Sequence, residues 1–223
     1  MELYMKALRN CYQGYSKKLN KSHLADNFDY FCFHCPFAKM VQKAFESLIK
    51  IDHPNISSEE VVKRFIQQVE PSLFLSQRFG NIYNGSLYMC LLSLLLKAPE
   101  INNKKVMMFS YGSGICSTMF EITVVANPVS ESQKKRINTF LDHRVKVSPA
   151  EFSKIMSEKE QSYGKFKGKI VPNFEYLNEN CFYLTEIDSK WRRSYEVNNH
   201  HKLNLAKDNI NALKRIPGLD ARI

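Results

Sequence analysis

Residues 29–48 read DYFCFHCPFAKMVQKAFESL, and the two halves of this stretch follow different periods. Tyr30 to Phe33 is a short aromatic run suited to a strand. Pro36 stops it and can open a helix as its first residue. Phe37, Met40, Val41, Ala44, Phe45, Leu48 and Ile49 then recur at helical spacing, which predicts a helix of about 14 residues with one apolar face. A strand running directly into an amphipathic helix is the unit from which layered α/β proteins are built. His34 sits at the junction.

Upstream, Met1, Met5, Leu8, Tyr12 and Tyr15 are spaced 4-3-4-3 and predict an amphipathic helix. Downstream, SSEEVVKRFIQQVE (57–70) opens with a capping box from Ser57 to Glu60, carries Val61, Val62, Phe65, Ile66 and Val69, and is ended by Pro71. A polar, glycine-containing loop follows. Residues 86–97 are then apolar nearly all round, which predicts a helix buried on every side. Val106–Phe109 and Met119–Ala126 are strand candidates on either side of the turn SYGSG (110–114), so a hairpin is expected. Ser148 caps a further helix with Pro149 at its first position, and CFYLTEIDSKWRRSYEV (181–197) holds one or two late strands. Residues 198–223 have no clear period and are expected to be a mobile tail. There is no internal repeat. Together these elements predict a layered αβα fold with a mixed sheet, a buried central helix and a C-terminal antiparallel hairpin.

Composition bounds the function loosely. The chain has 223 residues, 44% of them hydrophobic, enough for a sizeable core in one or two domains. Its formal charge of +10 favours anionic partners, whether nucleic acid, phosphorylated cofactors or acidic membranes, without choosing among them. The charges are dispersed and no nucleic-acid motif accompanies them. The N-terminus has no apolar targeting core. The longest apolar run, Leu87–Leu96, is about half the roughly 20 residues a spanning helix needs. The six cysteines, Cys11, Cys32, Cys35, Cys90, Cys116 and Cys181, are scattered through apolar segments, which reads as reduced, mostly buried thiols in a cytosolic protein. Cys32 and Cys35 form a CxxC pair, but no second pair follows, so no metal site is expected there.

Four places can carry chemistry, each with a plainer reading beside it. His34 at a strand end can donate to a carbonyl oxygen or relay a proton; it can equally be a core histidine bonded to a backbone carbonyl. Lys39 and Lys43, one turn apart, can reach a phosphate or form a solvated basic face. Asn81 after Gly80 can bond a ligand that approaches the backbone, or cap the helix that begins near Tyr83. Ser113 between Gly112 and Gly114 can cradle an acyl oxygen, or merely turn a hairpin.

Five segments in order, YMKALRNCYQGYSKKL (4–19), DYFCFHCPFAKMVQKAFESL (29–48), GNIYNGSLYMCLLSLL (80–95), FSYGSG (109–114) and YLTEIDSKWRRSYE (183–196), together resemble the carboxyl-terminal half of eukaryotic 3-hydroxy-3-methylglutaryl-coenzyme A synthase, in the thiolase-like superfamily. The resemblance spans residues 4–196, and residues 1–197 are accordingly expected to form that domain. It implies a reaction, the condensation of acetyl-CoA with acetoacetyl-CoA in the mevalonate or ketone-body route, with coenzyme A thioesters as substrates and no further cofactor. His34 matches the catalytic histidine of the family's F-H-S-P-Y-C-K block, which bonds the carbonyl oxygen of acetoacetyl-CoA. Lys39 matches the lysine of that block, which contacts the CoA phosphates, and Lys43 is a looser match. Asn81 matches the asparagine of G-N-M-Y, and Ser113 the second serine of S-Y-G-S-G; both bind acyl substrate, with Tyr83 and Tyr111 lining the same pocket.

Here Cys35, Pro36, Phe37 and Ala38 stand in place of the block's Ser-Pro-Tyr-Cys. The larger departure is that the family's nucleophilic cysteine and glutamate base lie in its amino-terminal half, which no segment here resembles. Cys35 and Cys116 match non-catalytic positions. The chain is therefore expected to need an amino-terminal half or a homodimer partner, to be inactive alone, and to act in the cytoplasm or mitochondrion without nucleic acid or membrane. The competing reading is a non-catalytic CoA-binding or subunit-interaction module of the same descent.

Overall fold

The computed structural model describes residues 2–112, 114–172, 174 and 177–198. They fall into two compact units, one running to His143 and the other starting at Arg144.

The first unit begins with helix α1 (Glu2–Leu19), which buries Tyr4, Ala7, Leu8 and Tyr12 along one face. A short 3-10 turn leads into strand β1 (Tyr30–Phe33), all four residues of which are buried. Helix α2 (Ala38–Asp52) follows. Pro36 does not open it, because Phe37 is extended (φ −164°, ψ 150°) and takes the N-cap position. Helix α3 (Ser58–Gln68) is capped by Ser57, whose hydroxyl accepts from the Glu60 amide. Only this half of the capping box forms: the Glu60 carboxylate turns outward to Lys63 and Arg64. A 3-10 turn over Glu70–Leu73 and the single-turn helix α4 (Ser76–Phe79) lead to α5 (Gly85–Lys97).

Strands β2 (Lys104–Gly112) and β3 (Cys116–Val124) form the expected hairpin, with Met108 opposite Phe120. The strand does not stop at Phe109; it runs on through Tyr111 to Gly112, which pairs with Cys116. β1 pairs with β2 in parallel, Phe31 against Met107 and Phe33 against Phe109, giving a mixed sheet ordered β1-β2-β3. Helix α6 (Glu131–Asp142), which periodicity did not announce, ends the unit behind a complete capping box between Ser130 and Gln133.

The sheet is packed on both faces. On one side Phe31 meets Phe45 of α2 edge-on, and Phe109 meets Tyr4 of α1 at 88°. On the other lie α5 and the 70–73 turn, where the Cys32 thiol reaches Ser72 and burial pushes its pKa up. Two buried serines join α5 to the segment before it. Ser93 accepts from the Leu75 amide while donating to Met89 O, and Ser86 accepts from the Ile82 amide. Each satisfies a peptide N–H that has no regular partner.

α5 is not buried on every side. Ser86, Leu87, Cys90, Ser93 and Leu94 face the core, whereas Tyr88 is 67% exposed and Met89, Leu92 and Leu96 are only half-covered. Nor are the cysteines mostly buried: Cys32, Cys35 and Cys90 are, Cys11 and Cys181 are half-covered and Cys116 is exposed, all as free thiols.

The second unit contains helix α7 (Pro149–Ser162), capped by Ser148 in a complete box with Glu151. Strands β4 (Gly168–Lys169), β5 (Phe182–Ile187) and β6 (Arg193–Val197) form an antiparallel sheet in that order. The expected C-terminal hairpin is β5–β6, and Asn198 closes its open end by bonding Cys181 O through its amide. Beyond Asn198 the predicted tail lies outside the described residues. No helix among the described residues is long and apolar enough to cross a membrane.

The Tyr4 hydroxyl donates to His34 O at 2.8 Å in the core. Tyr4→Phe strands that carbonyl, at a cost of about 1–3 kcal/mol. Tyr15 donates to the exposed Glu121 carboxylate, so Tyr15→Phe should cost less than about 1 kcal/mol. Urea unfolding of the two variants checks the difference, and equal losses would refute the assigned role of Tyr4.

Candidate active site

Three segments meet at the C-terminal ends of the parallel strands. The first is the end of β1, where His34 continues the ladder: its amide donates to Phe109 O at 2.7 Å, and its carbonyl takes the Tyr4 hydroxyl. With both backbone groups engaged, the residue's position is fixed. The side chain is only 7% exposed, yet no described residue gives the imidazole a hydrogen bond. The plainer reading of His34, a core histidine bonded to a backbone carbonyl, therefore lacks its bond. Burial lowers the imidazole's pKa, so at neutral pH the ring is uncharged, with one N–H to donate and one nitrogen to accept.

The second segment is the end of β2. The half-buried Tyr111 ring lies 6.2 Å from the His34 ring and 5.1 Å from that of Tyr4. Next to it, a Cβ at Gly112 would lie 4.0 Å from Asn84 Oδ1, an ordinary van der Waals contact that sets this strand end against the facing loop. Ser113 lies outside the described residues.

That facing loop, residues 80–85, is the third segment. Gly80 begins it with φ at +74°, a conformation that favours glycine. The Asn81 carboxamide oxygen accepts from the Tyr83 amide and from the Ser86 hydroxyl, both at 2.9 Å. Asn81 thus orders the entry to α5, while its NH₂ group makes no bond among the described residues. Tyr83 holds a left-handed backbone (φ 54°) and is 81% exposed. His34, Tyr111 and the 80–85 loop are brought together. Lys39 and Lys43 stand apart from them, exposed on the first turns of α2 and without an ion pair among the described residues.

Sequence reading missed Tyr4 and Asn84. Tyr4 lies on the buried face of α1 beside Leu8, but it fell outside the run of positions that marked the helix. The Asn84-Gly85 pair directly before an apolar helix was the available signal for the other.

Cys35 and Cys90 are buried together beside Ser76, whose hydroxyl is 3.3 Å from Cys90 Sγ. The hydrogen bond with Cys35, reinforced by burial, pushes the Cys90 thiol far up. No imidazole or cation pairs with either sulfur among the described residues, so this pair lacks the setting that makes a thiolate nucleophile.

The family model described as hydroxymethylglutaryl-coenzyme A synthase C terminal matches residues 1–67 and 55–198. Hydroxymethylglutaryl-CoA synthase B of Dictyostelium discoideum is 32% identical over 88% of this chain and 53% of its own length. The mitochondrial hydroxymethylglutaryl-CoA synthase of Mus musculus is 31% identical over 87% of this chain and 48% of its own. Among solved structures, the HMG synthase of the curacin biosynthetic pathway shares the fold with a TM-score of 0.76, at 23% identity, over 87% of this chain and 49% of its own. The chain thus spans about half the length of the relatives it matches. It belongs to the hydroxymethylglutaryl-CoA synthase family, of which it is the C-terminal region.

Proposed function

We propose that this chain supplies the acetoacetyl-binding half of a hydroxymethylglutaryl-CoA synthase, joining acetyl-CoA to acetoacetyl-CoA when an amino-terminal half provides the nucleophilic cysteine and glutamate base. The observation that carries this reading is a buried, position-fixed and unpaired neutral imidazole, His34, beside Tyr111, whose strand neighbour Gly112 approaches Asn84 of the 80–85 loop. In the reaction the enolate of the cysteine-bound acetyl group attacks the ketone carbon of acetoacetyl-CoA. Negative charge then builds on the ketone oxygen. The His34 N–H donates to that oxygen and stabilises the charge as it forms. The free NH₂ of Asn81 and the region of Ser113 bond the acyl oxygens, and Tyr83 and Tyr111 wall the pocket. Lys39 and Lys43 give point charges to the CoA phosphates from α2.

On this reading the protein works without a further cofactor, in the cytoplasm or the mitochondrion, and its partner is the amino-terminal half or a second copy. That half covers the outward face of α5. Exposed apolar helix surface of this kind marks a docking face.

Two measurements test the reading. The purified chain alone should show no synthase turnover, because it lacks an activated thiolate and a base. Sustained formation of hydroxymethylglutaryl-CoA by it would overturn the assignment.

Supplied with a family amino-terminal half by co-expression or fusion, the pair should turn over. His34→Ala should then cut condensation by about 10²–10³-fold while leaving stoichiometric acetylation of the partner's cysteine intact. Ser113→Ala should do less, since neighbouring amides keep part of the oxygen contact. Turnover within about twofold of the parent would reduce His34 to a core residue.

A further inference from the structure

Away from these strand ends, the turn between α1 and β1 meets the end of α2. His23 and Asp26 come from the turn, and His53 from the residue after α2. His53 Nε2 lies 3.1 and 3.0 Å from the two carboxylate oxygens of Asp26. The His23 and His53 rings lie side by side, centroids 5.1 Å apart and tilted by 33°. One ligand atom from each of the three residues falls within 4.8 Å of the others.

The surroundings hold this arrangement in place. Arg64 of α3 donates to Asp26 Oδ1 at 2.9 Å, fixing the carboxylate. Asp52 accepts from the Ala25 amide at 2.8 Å and from the Tyr12 hydroxyl, anchoring the turn between the two candidate ligands. His23 has a left-handed backbone (φ 51°, ψ 48°), unfavourable for a side chain with a Cβ, and its imidazole caps no helix end. That strained backbone presents its ring beside His53.

We propose that His23, Asp26 and His53 bind one divalent transition-metal ion of the zinc class, at a site separate from the acyl-CoA chemistry. Two imidazole nitrogens and a carboxylate oxygen select zinc, cobalt or nickel over magnesium and calcium, which demand oxygen ligands. A tetrahedral ion with bonds of roughly 2.0–2.1 Å sets its ligand atoms about 3.3 Å apart. Asp26 and His53 are already at that separation, and the exposed His23 ring closes the remainder by side-chain rotation. Arg64 keeps one carboxylate oxygen while the other turns to the ion, the usual division between a ligand and its outer support. Water takes the fourth position on the exposed side. The bound ion clips the α1–β1 turn to the end of α2, joining positions far apart in the chain through one centre.

The test uses the full 223-residue chain, stripped with chelator and titrated at neutral pH with zinc against a chromophoric chelator. One equivalent should bind, and the thermal midpoint should rise with it. His23→Gly removes the imidazole and suits the left-handed backbone, so the apo protein should be at least as stable as the parent. It should nonetheless bind zinc at least ~10-fold more weakly. His53→Ala should lose binding likewise. Cys116→Ser and His143→Ala, which remove exposed ligands elsewhere among the described residues, and the double variant His200→Ala/His201→Ala should bind as the parent does. The proposal fails if no equivalent binds, if His23→Gly and His53→Ala keep parental affinity, or if affinity is lost instead with Cys116, His143 or the His200/His201 pair.

Discussion

The parallel pairing of β1 with β2, carried one residue past the end of β1, is the constraint on which the rest of the structure depends. A buried peptide group must find a partner for both its donor and its acceptor. At His34 the donor is taken by Phe109 and the acceptor by the Tyr4 hydroxyl. These two bonds fix the sheet, α1 and the strand end relative to one another, and leave the imidazole as the residue's only unengaged polar group. A backbone anchored this way, with a ring buried in the core, suits the proposed role of a donor aimed at a charge that exists only in the transition state.

α5 works by a different division of its surface. Its composition is apolar throughout, but its inner face is interrupted seven residues apart by Ser86 and Ser93. Those hydroxyls are structural, each closing an amide of the preceding segment. Ser86 in turn donates to Asn81, so the loop that faces Gly112 is shaped from inside the core. The outer face carries Tyr88, Met89, Leu92 and Leu96 with no such polar duties. A helix that is apolar all round but covered on one side is built for a second packing surface, and the amino-terminal half of the family is its proposed occupant.

Much of this was legible in the sequence, and the failures have physical causes. Period identified α2, because its apolar stripe is regular, and identified β1 and the hairpin, because aromatic and branched runs broke at turn residues. Period alone cannot say how much of an apolar helix is covered by the same chain, hence the reading of α5 as fully buried. α6 was overlooked since it buries none of its residues, though Ser130 and Gln133 spelled out its cap. At Ser57 the reverse occurred: the motif was present, but Glu60 found cationic partners on its own helix and left half the box unmade. Of the site, His34 and Asn81 were visible as residue types at suggestive junctions. The meeting of His34 with Tyr111 was not, since it depends on a parallel pairing between segments some seventy residues apart. The His23, Asp26 and His53 cluster was invisible for the same reason: local spacing carries no signal for ligands joined only by tertiary packing.

The protonation state of His34 decides which part of the proposed chemistry it can perform. An imidazole that removes a proton from an acetyl methyl group must hold it as a cation through the step, which favours a site that stabilises the charged ring. Burial does the opposite for this imidazole: it disfavours the cation. A neutral ring is a poor proton store but a sound hydrogen-bond donor, and it can donate without first shedding a counter-ion. That suits it to the ketone oxygen, where a donor that never becomes fully charged still strengthens its bond as the oxyanion develops. In the proposed reaction the work of base would belong to the glutamate of the amino-terminal half. The proposed carbon–carbon bond formation would then be divided between an ionised group that takes a proton and this un-ionised ring, whose burial favours the neutral state in which it steadies an oxygen.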